Sequence, residues 1–404
     1  MLVGSITWLA FGLILVACDT TVYDVTQFGV DSSGARVSTS GIQAAISEAS
    51  KNNGGIVYFP EGTYRTGPIE LKSGITLKVD DEALITFVDY QELYPPFDAV
   101  LPSGRKIHFD YTPLIRALGQ KNISIVGSGI IYGVGEIWWR WLQQTEKRAI
   151  FVYIDECDGV LIEGVQLSQS PQYQINLKNT EHIVIKDSIL SSVGDDVFPV
   201  GQRTDGINCE SCRYLHVKNV TIRSGDDGIA LQADKQLKAT EHVLIEDSKI
   251  LSGPSGVAIG SNTAGGVRNV TVRNIVVNGT DRGLYIKSSR GQGGIVEDIH
   301  FYNVTLDKVG KEAIVIASLF DGTDAGLHER NVEPQPVTDT TPFVRNIKFQ
   351  GIRGNSALEP VFIVGLPEAR IANITINDLS VKSDHNVFLN QTQHIVFNGK
   401  EQWN

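Results

Sequence analysis

The stretch Ser224-Gly225-Asp226-Asp227-Gly228-Ile229-Ala230-Leu231 sets two adjacent carboxylates between glycines, just ahead of a short apolar strand. Its pattern returns on either side, in Thr204-Asp205-Gly206-Ile207-Asn208-Cys209, Ser255-Gly256-Val257-Ala258-Ile259 and Arg282-Gly283-Leu284-Tyr285-Ile286. Aligned on Gly206, Gly228, Gly256 and Gly283, the units are spaced 22, 28 and 27 residues apart, with apolar residues first and third after each glycine. A repeat of that length built on short strands predicts a stacked coil, with the carboxylates at its edge.

A second ladder runs from Asn122-Ile123-Ser124-Ile125 through His182-Ile183-Val184-Ile185, His242-Val243-Leu244-Ile245 and Asn346-Ile347-Lys348-Phe349 to His394-Ile395-Val396-Phe397. Its members alternate apolar and mostly polar residues, so one face is buried. Several short strands per repeat and no helical pattern fit an all-β parallel β-helix, a single-stranded solenoid; a propeller needs repeats of about 40–45 residues. Gly41 to Ser50 alone has helical spacing, with Ile42, Ala45, Ile46 and Ala49 on one face, and is expected to cap the open N-terminal end of the coil. Two long loops interrupt the repeat, Tyr94 to Pro113 and Ser318 to Pro342, the latter carrying His328, Glu329 and Arg330. Seven Asn-x-Ser/Thr triplets fall mostly where an asparagine turns the chain into a strand, which is read as a structural use.

Composition narrows the function. The 404 residues are 20% charged with 40 glycines and a formal charge of -11. A nucleic-acid partner demands a basic surface, so that class is excluded. An acidic polysaccharide would need a local cluster of Lys and Arg. Residues 1–17 carry no charged side chain and read as a signal segment ending in Leu15-Val16-Ala17-Cys18, which resembles a lipobox with Cys18 as the lipidated residue. A membrane-anchored lipoprotein of the periplasm or outer membrane is therefore expected, with the β-helix occupying 22–404 and the protein monomeric. Among Cys157, Cys209 and Cys212 no Cys-x-x-Cys pair has a partner His, so zinc is not expected, and Cys209 falls on an inward position, so a buried thiol is expected; neither metal nor cofactor is implied.

The register predicts the chemistry. Even positions after each glycine point away from the coil, among them Asn208, Gln232, Tyr285 and Lys287, and Lys287 is expected near Gln232. Asp226 and Asp227 can both face outward only if the backbone bends, which flanking glycines permit. Asp205 lies one coil away, beside Asp227. Three convergent carboxylates suit glycoside hydrolysis, where one must hold a proton for the leaving oxygen and another must activate water. Crowding sorts them, since neighbouring carboxylates cannot all ionise at ordinary pKa. A solvated acidic turn or a calcium site would share the composition.

These residues carry a resemblance to the polygalacturonase family, glycoside hydrolase family 28, whose members are right-handed parallel β-helices. It extends through Gly54-Gly55-Ile56-Val57-Tyr58-Phe59-Pro60, Thr66-Gly67-Pro68-Ile69 and Ser170-Pro171-Gln172-Tyr173. The family's Asn-Thr-Asp motif is similar to Arg203-Thr204-Asp205, and its Gly/Gln-Asp-Asp motif matches Gly225-Asp226-Asp227. The resemblance implies Asp226 as general acid, with Asp205 and Asp227 holding the attacking water, inversion of configuration, and a pectic polysaccharide or oligosaccharide as substrate. Two departures stand out. The family's Gly-His-Gly motif should fall in Gly253-Pro254-Ser255-Gly256, where no histidine occurs. Its Arg-Ile-Lys appears as Tyr285-Ile286-Lys287, so only Lys287 of the carboxylate clamp survives; Arg282 or Arg330 would be the substitute, and Tyr285 suits a less charged sugar. The rhamnogalacturonan hydrolases resemble this chain in lacking both groups. A non-catalytic carbohydrate-binding relative and a β-eliminating lyase are the competing classes. Trp138, Trp139 and Trp141 are read as a packing anchor rather than a sugar platform, and Gly194-Asp195-Asp196 as a loop copy of the acidic motif.

Overall fold

The computed structural model describes residues 21–140, 147–194, 201–322 and 332–402. The chain winds as a right-handed parallel β-helix. Eleven strands, from Ile69–Glu70 through Ile207–Glu210 and Ile229–Gln232 to Phe388–Asn390, form one sheet in which every pairing is parallel. A 22-stranded sheet carries the remaining faces.

The second ladder is one continuous stack. Ile123, Val160, Ile183, Leu215, Val243, Val270, Ile299, Ile347, Ile374 and Ile395 pair in register from coil to coil, and all are buried. Burying one such side chain is worth about 1.5–3 kcal/mol, so the stack supplies much of the cohesion between coils. The residue just before each member takes the left-handed conformation, with φ between 52° and 79°: Asn122, Gly159, His182, Tyr214, His242, Asn269, Asp298, Asn346, Asn373 and His394. Asn, Asp and His tolerate that region best, which accounts for the asparagines of most of the triplets.

The aligned glycines serve close approach rather than a bend. Gly225 and Gly228 both avoid positive φ. A Cβ on Gly206 would stand 2.5 Å from the Gly228 carbonyl oxygen, one on Gly228 2.7 Å from that of Gly256, and one on Gly256 2.6 Å from that of Gly283. The glycine column exists because each coil rests on the backbone of the next. The expected source of the turn at Asp226 is thereby corrected. The turn is instead held by Ser224, whose Oγ donates to the Asp226 carbonyl at 2.7 Å and whose N–H is taken by Ser252 Oγ at 3.0 Å.

The helix forms over Thr39–Lys51 with Ile42, Ala45, Ile46 and Ala49 fully buried, and Asn53 at φ 67° ends its turn. Trp138 and Trp139 are core: Trp138 packs edge-on against Tyr94 and Tyr111, and Trp139 donates from Nε1 to the Ser170 carbonyl at 3.1 Å. Cys157, Cys209 and Cys212 are buried free thiols. The Tyr94–Pro113 segment differs from a plain loop: Phe97–Val100 and Lys106–Phe109 pair as an antiparallel hairpin. Cys18, Trp141, Asp195, Asp196 and Arg330 lie outside the described residues.

Candidate active site

Asp205 and Asp227 occupy the same place in consecutive coils, each two residues before its strand. The Gly206 N–H donates to the Asp227 carbonyl at 3.1 Å, which fixes that register. Asp226 sits at the turn just before Asp227. Its Oδ2 accepts the Arg203 N–H at 2.7 Å and its Oδ1 the Asp227 N–H at 2.9 Å, so its carboxylate is aimed across to the Asp205 coil. The three carboxylates meet as the register predicts, but Asp205 and Asp227 are only 5% and 4% exposed, not open to solvent.

That burial controls their protonation. Burial pushes the Asp205 carboxyl well above the usual aspartate range, and the negative charges of Asp226 and Asp227 push it further; Lys287 opposes them. Asp226 is raised by burial and then by Asp227, against the Arg203 N–H and Lys287. Among the described residues Lys287 is the one cation at ion-pair distance from any of the three, with Nζ 2.8 Å from Asp227 Oδ2. Burial and crowding thus both favour the protonated form of Asp205 and of Asp226.

Two participants escaped the sequence reading. Ser255 stands where the resemblance expects a histidine, in register between Asp227 and Arg282, and donates from Oγ to Asp227 Oδ1 at 2.5 Å. Tyr173 precedes its strand by the same two residues as Asp205, and the negative charge of Asp205 adds to burial in raising its phenol. The signal for both was the register itself, extended one coil further each way.

Four residues expected to contact substrate are engaged by protein neighbours. Arg282 is 6% exposed and its Nε donates to Glu312 Oε2 at 2.7 Å, so its charge is already matched. Tyr285 is buried in a small apolar cluster with Val315 and Phe362, edge-on to Phe320, with the Arg282 and Lys287 cations 5.3 and 5.0 Å from its ring; it offers no open ring face. Asn208 is 4% exposed, donating to Asn176 Oδ1 at 3.0 Å and accepting from Gln232 Nε2 at 2.9 Å. Gln232 is thus bound to Asn208, and Lys287, expected beside Gln232, reaches Asp227 instead. Alternation gives the direction in which a side chain leaves the strand; it says nothing of what packs over it. Among the described residues no group of three or more His, Cys, Asp or Glu is arranged to hold a metal ion.

Comparison with known proteins follows the same outline. Residues 60–396 match the family model described as glycosyl hydrolases family 28, and residues 22–87 match one described as rhamnogalacturonase A/epimerase, pectate lyase-like. A probable polygalacturonase of Vitis vinifera is 26% identical over 384 residues, covering 91% of this chain and 75% of the relative. An endo-polygalacturonase of Pectobacterium carotovorum is 27% identical over 299 residues, covering 69% of this chain and 71% of its own. The crystal structure of a hyperthermoactive exopolygalacturonase from Thermotoga maritima superimposes with a TM-score of 0.79 at 26% identity, over 95% of this chain and 93% of that one.

Proposed function

The chain belongs to the glycosyl hydrolases of family 28, a family of glycoside hydrolases, and on that premise we propose that it cleaves α-glycosidic bonds in pectic galacturonan with inversion of configuration. The observation that carries the proposal is the convergence of Asp205, Asp226 and Asp227 with Lys287 as their single ion-pair partner among the described residues. The polygalacturonase names of the relatives support the choice of sugar.

In this reading Asp226 is the general acid. It lies at the turn, more exposed than its neighbours, and burial with the Asp227 charge favours its protonated form. Protonated Asp226 gives its proton to the glycosidic oxygen as the bond to the anomeric carbon breaks. Asp205 and Asp227 orient a water on the opposite face of the ring, and Asp227, held by Lys287, accepts its proton as it attacks. Ser255 and Lys287 fix the Asp227 carboxylate, one at each oxygen. Inversion requires acid and base carboxyls roughly 6.5–9.5 Å apart, with the water between them.

Proton NMR of the first-formed product on polygalacturonate tests this. The β-anomer is expected from the α-linked substrate; an α-anomer overturns inversion, and an unsaturated product would identify a lyase. A second reading is favoured by Ser255 and Tyr285, which stand where a polygalacturonase resemblance expects His and Arg: hydrolysis of a rhamnogalacturonan-type substrate. Comparing kcat/KM on rhamnogalacturonan and galacturonan fragments separates the two. Lipid anchoring through Cys18 belongs to the same proposal, and detergent partitioning of wild type against Cys18→Ser tests it.

A further inference from the structure

The outer face of the eleven-stranded sheet carries a second polar centre, away from the three aspartates. On the strand Val152–Asp155, Tyr153 and Asp155 point outward, yet they are only 4% and 0% exposed. The hairpin of Phe97–Val100 and Lys106–Phe109 lies over them. Phe109 packs edge-on against Tyr153 with ring centroids 4.7 Å apart. Phe97 lies under the guanidinium of Arg116, the outward residue of the preceding strand, at 4.5 Å. From the turn between the hairpin strands, Arg105 Nη2 donates to Asp155 Oδ1 and Ser103 Oγ to Glu156 Oε1. Tyr153 donates its hydroxyl to Asp155 Oδ2 at 2.5 Å. At the hairpin base, Thr112 donates to the Pro95 carbonyl at 2.6 Å, and Tyr94 is locked to the Val88 carbonyl at 2.7 Å.

This is a fixed wall, not a flap. Its tip is tied by charge to a buried carboxylate, its strands by aromatic packing, and its base by core hydrogen bonds. Its place along the coil sets a length. The strand Val152–Asp155 pairs with Ile175–Lys178, which pairs with Ile207–Glu210, which pairs with Ile229–Gln232. At about 4.8 Å per strand, the wall stands roughly 10 Å from the strand after Asp205 and roughly 14 Å from the strand after Asp227. A sugar chain running along the sheet across the aspartates has space for only a short run of rings before it meets Phe97, Phe109 and Arg105.

Resting on the hydrolase reading above, we propose that the hairpin Phe97–Phe109 closes one end of the substrate groove and restricts the enzyme to chain ends, so that it releases short units and does not cut within long galacturonan. The test follows viscosity, reducing ends and product sizes together on long, unesterified polygalacturonate with the wild-type protein. Products of one to three sugars from the first minutes are expected, with viscosity falling only in proportion to the mass released. A steep viscosity loss while few bonds are cut, with long mixed fragments, overturns the wall but leaves the hydrolase reading standing. A folded protein that neither cleaves nor binds pectic fragments of any length overturns both. A variant with Asp98–His108 replaced by a short Gly-Ser link is expected to lengthen the early products several-fold; unchanged short products from a folded variant would also overturn the proposal.

Discussion

Two buried carboxylate centres border one sheet, Asp155 at the end of its strand and Asp205 and Asp227 just before the start of theirs, and they are built differently. Asp155 is buried, as Asp205 and Asp227 are, but both of its oxygens have a donor: Tyr153 donates to one oxygen, Arg105 to the other. Burial raises its carboxyl, and both partners pull it back. Among Asp205, Asp226 and Asp227 the neighbours are mostly negative: Asp226 and Asp227 raise Asp205, and Asp227 raises Asp226, with Lys287 opposing both. Burial thus yields a structural tie where one carboxylate meets a cation and a hydroxyl, and a crowded acidic site where three carboxyls share a single cation among the described residues. A buried charge left without its partner is costly, so its persistence is a mark of use.

The largest effect should come from the under-compensated centre. Asp226→Asn keeps the shape and can still accept from the Arg203 N–H, but cannot deliver a proton. A loss in kcat of about 10²–10⁴ is expected, with an unchanged circular dichroism spectrum, as for removal of a general acid. Activity within a few-fold of wild type would move the acid role to another member of the trio.

The compensated centre should answer in stability. Arg105→Met keeps the aliphatic stem but leaves Asp155 with Tyr153 alone. Breaking a buried pair by removing one partner costs about 3–5 kcal/mol, and Arg105 is partly exposed, so the lower end of that range is expected in chemical denaturation. A change below about 1 kcal/mol would place this pair with ordinary surface ion pairs and weaken the contrast between the two centres.

How much of this was legible beforehand follows from what repeats. Gly206, Gly228, Gly256 and Gly283 are written in the sequence because any side chain there would strike the next coil, and Ile123 to Ile395 because every coil buries the same position. Asp205 beside Asp227 came from that register. The partner of Tyr285 did not, because Phe320 approaches from outside the strand; Asn176 and Glu312 stand in register with Asn208 and Arg282, but in the coils before Gly206 and after Gly283, beyond the aligned units. The hairpin was read as a loop: its strands are four residues each and belong to no repeat.

Tyr285→Arg sharpens the comparison by adding a cation near the trio. A restored carboxylate clamp would have favoured unmodified galacturonan, but Tyr285 is buried between the Arg282 and Lys287 cations and against Phe320. Overpacking and a third positive charge there should destabilise the fold by about 1–3 kcal/mol, with no gain in kcat/KM on polygalacturonate. A gain of tenfold or more would mean that the guanidinium escapes to the groove.

The subtlest effect is one of sign, at Asp205. Its carboxyl is raised in the folded protein by burial and by two negative neighbours; unfolded, it titrates near the ordinary aspartate value of about 3.9. Between those two pH values the folded state holds more protons than the unfolded one. Stability therefore falls as pH rises through that window, the reverse of a salt-bridged aspartate. Asp205→Asn removes the titration and relieves the charge on Asp226 and Asp227. Below about pH 4 wild type and variant should melt alike; above it the variant should become progressively the more stable, until the raised value is passed and the gap levels off. The gain in stability should accompany a loss of turnover, as expected where a site holds strain for function. Thermal melts from pH 3 to 8 read the gap directly. A variant less stable than wild type at neutral pH would mean that Asp205 is paired as firmly as Asp155, and the distinction between the two centres would fall.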